Sequence, residues 1–135
     1  MKRIAIILSC IVLAAGFMWA RHTPGDKVGV KFDSLVYEFG TVSSEAAPVT
    51  HIFNFTVTGD SPVAILTANA NCGCTTPEYD RKPVVTGKNG AIKVSFIPQG
   101  QSGEVEKEIR VRFKNGNDKS ETVTLRLTGV VAPSK

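Results

Sequence analysis

The stretch Asn71-Cys72-Gly73-Cys74-Thr75 sets two thiols on either side of a single glycine. Three chemistries suit that spacing. The first is a disulfide. Residues i and i+2 of an extended strand share a face and lie about 6.6 Å apart, at the long end of the roughly 4.4–6.8 Å that a disulfide spans. Gly73 permits a bend that shortens the distance. Closing so small a loop adds only about 1.5 kcal/mol in chain-entropy terms, so stabilisation is a weak reason for such a bond. A strained, exposed bond is instead easily reduced. The second chemistry is metal binding, because thiolates are soft ligands for Cu(I) or Zn. A structural zinc takes four ligands, and the nearest histidine is His51. If residues 49–57 and 63–70 pair as a hairpin, His51 falls opposite roughly Asn69, at the thiol end of the sheet. If those strands belong to opposite sheets, the distance opens. Glu78 and Asp80 follow close in sequence. The expected metal set is therefore Cys72, Cys74 and His51, with copper or zinc as the cofactor; the expected disulfide is Cys72 to Cys74. The third chemistry is none: small apolar thiols that pack the end of a sheet.

Catalysis is not expected. A hydrolytic centre needs a nucleophile, a base and an orienting acid, and His51 inside a strand, with no tight turn presenting a serine, does not supply them. Thioredoxin-like chemistry prefers two residues between its cysteines and a helix N-terminus that lowers the thiol pKa. No such helix is readable around Cys72.

The elements that must position these residues have a period of two. Residues 32–42 read as a strand broken near Asp33-Ser34. In 49–57, Val49, Phe53, Phe55 and Val57 share one face. Residues 63–70 follow a Gly59-Asp60-Ser61-Pro62 turn. Ile92, Val94 and Phe96 mark the inner face of 91–97, Val105, Ile109, Val111 and Phe113 that of 105–113, and Val123, Leu125 and Leu127 that of 122–130. No long segment carries the 3.6 period of a helix. Strands at this spacing, punctuated by Gly and Pro turns, predict an antiparallel β-sandwich of about seven strands. Glu104, Glu106, Glu108, Arg110, Arg112 and Lys114 share the opposite parity of their strand, which predicts a wetted face whose charges pair across strands. Parity also sets the last hairpin. A tight Asn115-Gly116 turn would place a polar stripe on the buried face, so the expected register pairs Val111 with Val123 and Glu108 with Arg126, around a longer loop.

The formal net charge is +4, of which Lys2 and Arg3 supply +2. The remainder is near neutral and carries no basic block with interleaved aromatics, so nucleic acid is not an expected partner. Lys2-Arg3 precedes the uncharged run from Ile4 to Ala20. A positive start followed by an apolar core is a targeting signal, so the protein is expected to be exported to the periplasm or cell envelope. Three fates fit residues 1–20: cleavage after Gly16 or Ala20, retention as an anchor with Trp19 and Arg21 at the far interface, or lipidation at Cys10. The membrane is engaged only through this segment, if it is uncleaved. Residues 21–30 hold Pro24, Gly25 and Gly29 and read as a linker; the β-sandwich domain is expected over 31–133.

The segments FGTV (39–42), HIFNF (51–55), NCGCT (71–75), GKNGAIKVSF (87–96) and LTGVV (127–131) resemble the domain-of-unknown-function 1573 family. These are small envelope proteins, common in Bacteroidetes, and the resemblance covers about residues 31–131. It implies an immunoglobulin-like β-sandwich and brings with it no activity and no catalytic residues. The chain departs from the family pattern at two turns, with Val57 where Asn is usual and Thr86-Gly87 where Pro-Gly is frequent. The expected function is a non-catalytic binding or structural module of the bacterial cell envelope, with an envelope protein or ligand of unknown identity as partner. One alternative is a periplasmic metal-binding or thiol-redox module centred on Cys72 and Cys74. Another is a surface adhesin or assembly subunit that uses an exposed sheet edge for strand addition.

Overall fold

The computed structural model describes residues 28–134. The expected leader at 1–20 and most of the expected linker at 21–30 therefore lie outside the described residues. Eight strands follow: β1 (Val30–Phe32), β2 (Val36–Ser43), β3 (Val49–Val57), β4 (Val63–Ala70), β5 (Thr75–Tyr79), β6 (Asn89–Phe96), β7 (Gly103–Asn115) and β8 (Ser120–Ala132). They form two four-stranded sheets in the orders β1-β3-β6-β5 and β2-β8-β7-β4.

Alternation builds the space between the sheets. Phe53, Phe55, Ile92, Val94 and Phe96 point inward from the first sheet, and Ile109, Val111, Phe113, Leu125 and Leu127 from the second; all are fully buried. Each such side chain contributes roughly 1.5–3 kcal/mol by leaving water. Phe55 meets Phe113 of the other sheet edge-on, with centroids 5.3 Å apart, and Phe32 joins both at 5.5 and 5.9 Å. Edge-to-face contacts of this kind favour one packing arrangement over a slippery aliphatic interface.

The break at Asp33-Ser34 is a jog between sheets. β1 pairs antiparallel with β3, and the Ser34 hydroxyl donates to the Val36 carbonyl at 2.8 Å where the chain leaves for the second sheet. Because the chain changes sheets without reversing, β2 lies parallel to β8, with Val36 opposite Arg126 and Val42 opposite Val131. The expected all-antiparallel pairing is corrected at this one ladder.

β5 is a strand that the sequence reading does not include, because Pro77 cannot donate to a ladder. It is an edge strand, paired only with β6, which is where a strand tolerates proline. Of the two arrangements open to residues 49–57 and 63–70, the hairpin does not form: β3 and β4 belong to opposite sheets. After β3 the chain is captured by Gly29, whose carbonyl accepts from the amides of Thr58 at 2.7 Å and Gly59 at 3.2 Å. Gly29 has φ +77°, and a Cβ there would overlap the backbone of Gly59. This close approach of two glycines steers the chain away from β3 and into the second sheet.

The last hairpin has the expected register. Val111 faces Val123, Ile109 faces Leu125 and Glu108 faces Arg126. The ladder closes at Lys114–Ser120, and the loop is organised by Asn115, whose Oδ1 accepts from the amides of Asn117 and Lys119, each at 3.0 Å. On the wet face, Arg126 lies 3.5 Å from Glu108 and 3.8 Å from Glu106. The charged parity of β7 is thus a solvated face with cross-strand pairs.

Candidate functional site at the Cys-Gly-Cys crossover

Residues 71–74 are the corner where the chain leaves β4, at the edge of one sheet, for β5, at the edge of the other. The corner is held at both ends. The Asn71 amide donates to the Glu108 carbonyl at 3.1 Å, and the Asn71 side-chain oxygen accepts from the Glu108 amide at 3.3 Å. At the other end the Ile97 amide donates to the Cys74 carbonyl at 2.9 Å. Between them, the Thr75 amide donates to the Cys72 carbonyl at 3.3 Å and closes a four-residue turn.

That turn brings the two sulfurs to the same side, within bonding contact, with a Cα–Cα distance of 5.3 Å. The distance is shorter than two residues of extended strand would allow and falls inside the range a disulfide spans. Gly73 sits in the bend, as expected, but the bend does not require a glycine. Its φ is not left-handed, and a Cβ built on it meets nothing within 4 Å, so the bend uses a conformation open to other residues. The Cys74 amide donates to Cys72 Sγ at 3.0 Å, and Cys74 Sγ lies 3.7 Å from the Thr75 hydroxyl. Both cysteines are half-buried, and Cys74 packs against the core. Thr75, 4 % exposed, is the buried polar residue beside them.

His51 is not part of this corner. It sits on β3 opposite Val94, whereas Thr75 sits opposite Phe96 on the far side of β6. Its ring stacks on Tyr37 of the other sheet, with centroids 3.8 Å apart and planes 8° from parallel, and meets Phe53 edge-on at 4.7 Å. Burial against these rings lowers the His51 pKa from its ordinary value. Glu78 faces Lys93 at 3.7 Å, and Asp80 accepts from the Lys82 amide at 2.9 Å. Among the described residues, no three His, Cys, Asp or Glu side chains are gathered to hold a metal. Of the expected set of Cys72, Cys74 and His51 for copper or zinc, the structure brings the two thiols together and places His51 on a strand that lies across β6 from β5.

A second feature lies on the opposite flank. β1 covers β3 only from Phe55 to Val57. The amide of Asp33 reaches the Asn54 carbonyl at 3.1 Å, and Thr58 bonds Gly29 on the same side. In an antiparallel ladder the hydrogen-bonding direction alternates residue by residue, so the amides and carbonyls of Thr50 and Ile52 also point away from β6. Among the described residues, no strand pairs with this side of β3 between Val49 and Phe53. The Ile52 side chain, 51 % exposed, stands beside it on the outer face.

The other sheet edges are blunted. Ile97 bonding to Cys74 sets the even-numbered residues of β5 toward β6, so Pro77 presents its missing N–H to the outside. β4 carries a bulge at Leu66, and Val84 pairs with its first residue, Val63. β2 is bulged between Glu38 and Thr41, where Gly40 has φ +74°. Bulges and edge proline are the devices by which sheets avoid unwanted pairing.

Solved structures of similar fold come from varied settings. The ASH/PapD-like domain 7 of human CEP192 has a TM-score of 0.66 at 10 % identity, over 81 % of this chain and 89 % of that domain. The periplasmic chaperone SfaE scores 0.59 at 10 % identity, over 79 % of this chain and 58 % of its own. VesB protease of Vibrio cholerae scores 0.62 at 13 % identity over 76 % of this chain, which spans about a third, 32 %, of the protease. At such identities the likeness is one of fold, an immunoglobulin-like or PapD-like sandwich. No match was found among curated proteins. The family model described as "Protein of unknown function (DUF1573)" matches residues 30–131, and the chain belongs to that family.

Proposed function

We propose that the protein is a non-catalytic binding module of the bacterial cell envelope, and that it takes an extended segment of another envelope polypeptide onto the open edge of β3. The observation that carries this reading is the pair Thr50 and Ile52, whose backbone groups face outward beside β1 with no strand against them among the described residues. An added strand would continue the line of β1 and find the donors and acceptors already aligned; main-chain bonds supply affinity in this mode and alternate side chains supply specificity. Ile52 offers apolar surface beside the edge. The blunting of β2, β4 and β5 supports the choice of β3. The charged, apolar-cored leader supports placement in the envelope.

Site-specific photo-crosslinking in cells tests the reading. A photoreactive residue at position 52 is expected to yield a discrete adduct, and one at position 78, on the outer face of β5, is not. The adduct should disappear when Thr50→Pro is added, because that change removes an outward-facing amide. Equal adducts from both positions, or an adduct insensitive to Thr50→Pro, contradict it.

A further inference from the structure

We propose that Cys72 and Cys74 form a thiol–disulfide exchange site, at which a disulfide between them is reduced in the folded domain by the dithiol of a partner protein.

Three observations carry this. The corner is held by bonds that do not involve sulfur: Asn71 to Glu108 twice, Thr75 to Cys72, and Ile97 to Cys74. Opening a bond between residues two apart thus releases no backbone, which sets this pair apart from a disulfide that staples distant segments. The corner is also approachable. Asn71, Gly73 and Thr76 are exposed, and a side chain grown from Gly73 would meet nothing within 4 Å. An incoming thiolate needs such a path to a half-buried sulfur. Finally, the two sulfurs are unequal. Cys72 Sγ accepts the Cys74 amide at 3.0 Å, whereas Cys74 Sγ has only the Thr75 hydroxyl at 3.7 Å. A hydrogen bond to a departing thiolate stabilises it, so Cys72 is the better-placed leaving sulfur.

The steps balance. A partner thiolate attacks Cys74 Sγ, a sulfur–sulfur bond forms between them, and the Cys72–Cys74 bond breaks. Cys72 departs as a thiolate held by the Cys74 amide and then takes up a proton. The partner's second thiolate attacks the partner sulfur of the mixed disulfide and releases Cys74, which is protonated in turn. The partner dithiol has lost two electrons and two protons to become a disulfide, and the pair has gained both.

The test uses the full chain purified without reductant, with dithiothreitol and glutathione as probes. Alkylation is read on the tryptic peptide that ends at Arg81. In native buffer with dithiothreitol, Cys72 and Cys74 should become alkylatable at least about tenfold faster than the chain unfolds, with no change in far-ultraviolet circular dichroism. Reduced protein given oxidised glutathione should close the pair again. With glutathione alone, the trapped mixed disulfide should map to Cys74. A Cys72→Ser/Cys74→Ser chain should keep the wild-type spectrum and unfolding midpoint. Reduction that proceeds only at the unfolding rate overturns the proposal, as do thiols that stay free in oxidised glutathione. A mixed disulfide confined to Cys72 overturns the assignment of the leaving sulfur.

Discussion

The ring of Phe39 on β2 lies directly over the Cα of Gly129 on β8, so close that a Cβ at Gly129 would fall within the ring. The same ring stacks on Phe96 of the facing sheet, with centroids 5.4 Å apart. The parallel strand is thus locked to the core through one aromatic and one missing side chain. Gly129→Ala should destabilise the domain by about 1–3 kcal/mol, the usual cost of overpacking. Chemical unfolding of the single and double variants checks this. Adding Phe39→Ala removes the obstacle, so the double variant should lose less than the two single losses together. Strict additivity would mean the two residues do not meet.

Asn115 sits at a strong two-residue turn signal yet organises a longer loop. Its side-chain oxygen takes two amides, and Asp118 beyond it holds φ +61°. Asn115→Ala should cost about 1–2 kcal/mol by leaving those amides to water. Asp118→Gly relieves a left-handed residue while losing an exposed contact to Lys114, so it should leave the unfolding midpoint unchanged or raised.

His51 gives the stability a pH dependence of definite sign. Its folded pKa is lowered by burial, so the unfolded chain binds a proton at higher pH than the folded one does. Stability is then full above the unfolded value, near 6.5, and declines as pH falls through it toward the folded pKa. The ring signals of His51 should titrate below the ordinary value, and His51→Gln should flatten the loss of stability between about pH 7 and 5. A titration above the ordinary value would contradict the packing against Tyr37 and Phe53.

Gly73 should be dispensable to the backbone, because its φ is ordinary and space lies where a methyl would go. Gly73→Ala is expected to change unfolding stability by no more than about 0.5 kcal/mol. It should also leave both cysteines able to bond, as read by intact mass with and without reductant. Loss of that bonding would show that the corner needs glycine after all.

The inner faces are legible in the sequence because strand parity is rigid: one residue of slip would place polar side chains among Phe55, Phe96 and Phe113. The same constraint alone sets Val111 against Val123. β5 is hidden by Pro77, which argues against a central strand and is silent on an edge. The placement of His51 is hidden for another reason. Which sheet a strand joins depends on the Gly29–Gly59 contact, formed by residues thirty apart, and no local pattern reports it. The proximity of Cys72 and Cys74 is legible from spacing; the amide that distinguishes the two sulfurs is not. The open edge at Thr50 and Ile52 depends on where β1 stops pairing, which neighbouring residues do not reveal.

A partner strand received by β3 through the outward backbone of Thr50 and Ile52 would depend on one amide and one apolar side chain. The most direct measurement is the affinity of the partner captured at position 52 for wild-type protein, Thr50→Pro and Ile52→Lys, with unfolding midpoints measured alongside. Thr50→Pro, which deletes one outward amide, and Ile52→Lys, which leaves the backbone intact, should each weaken binding at least about tenfold while the midpoint stays near that of the wild type. Wild-type affinity in both folded variants would contradict strand addition at β3.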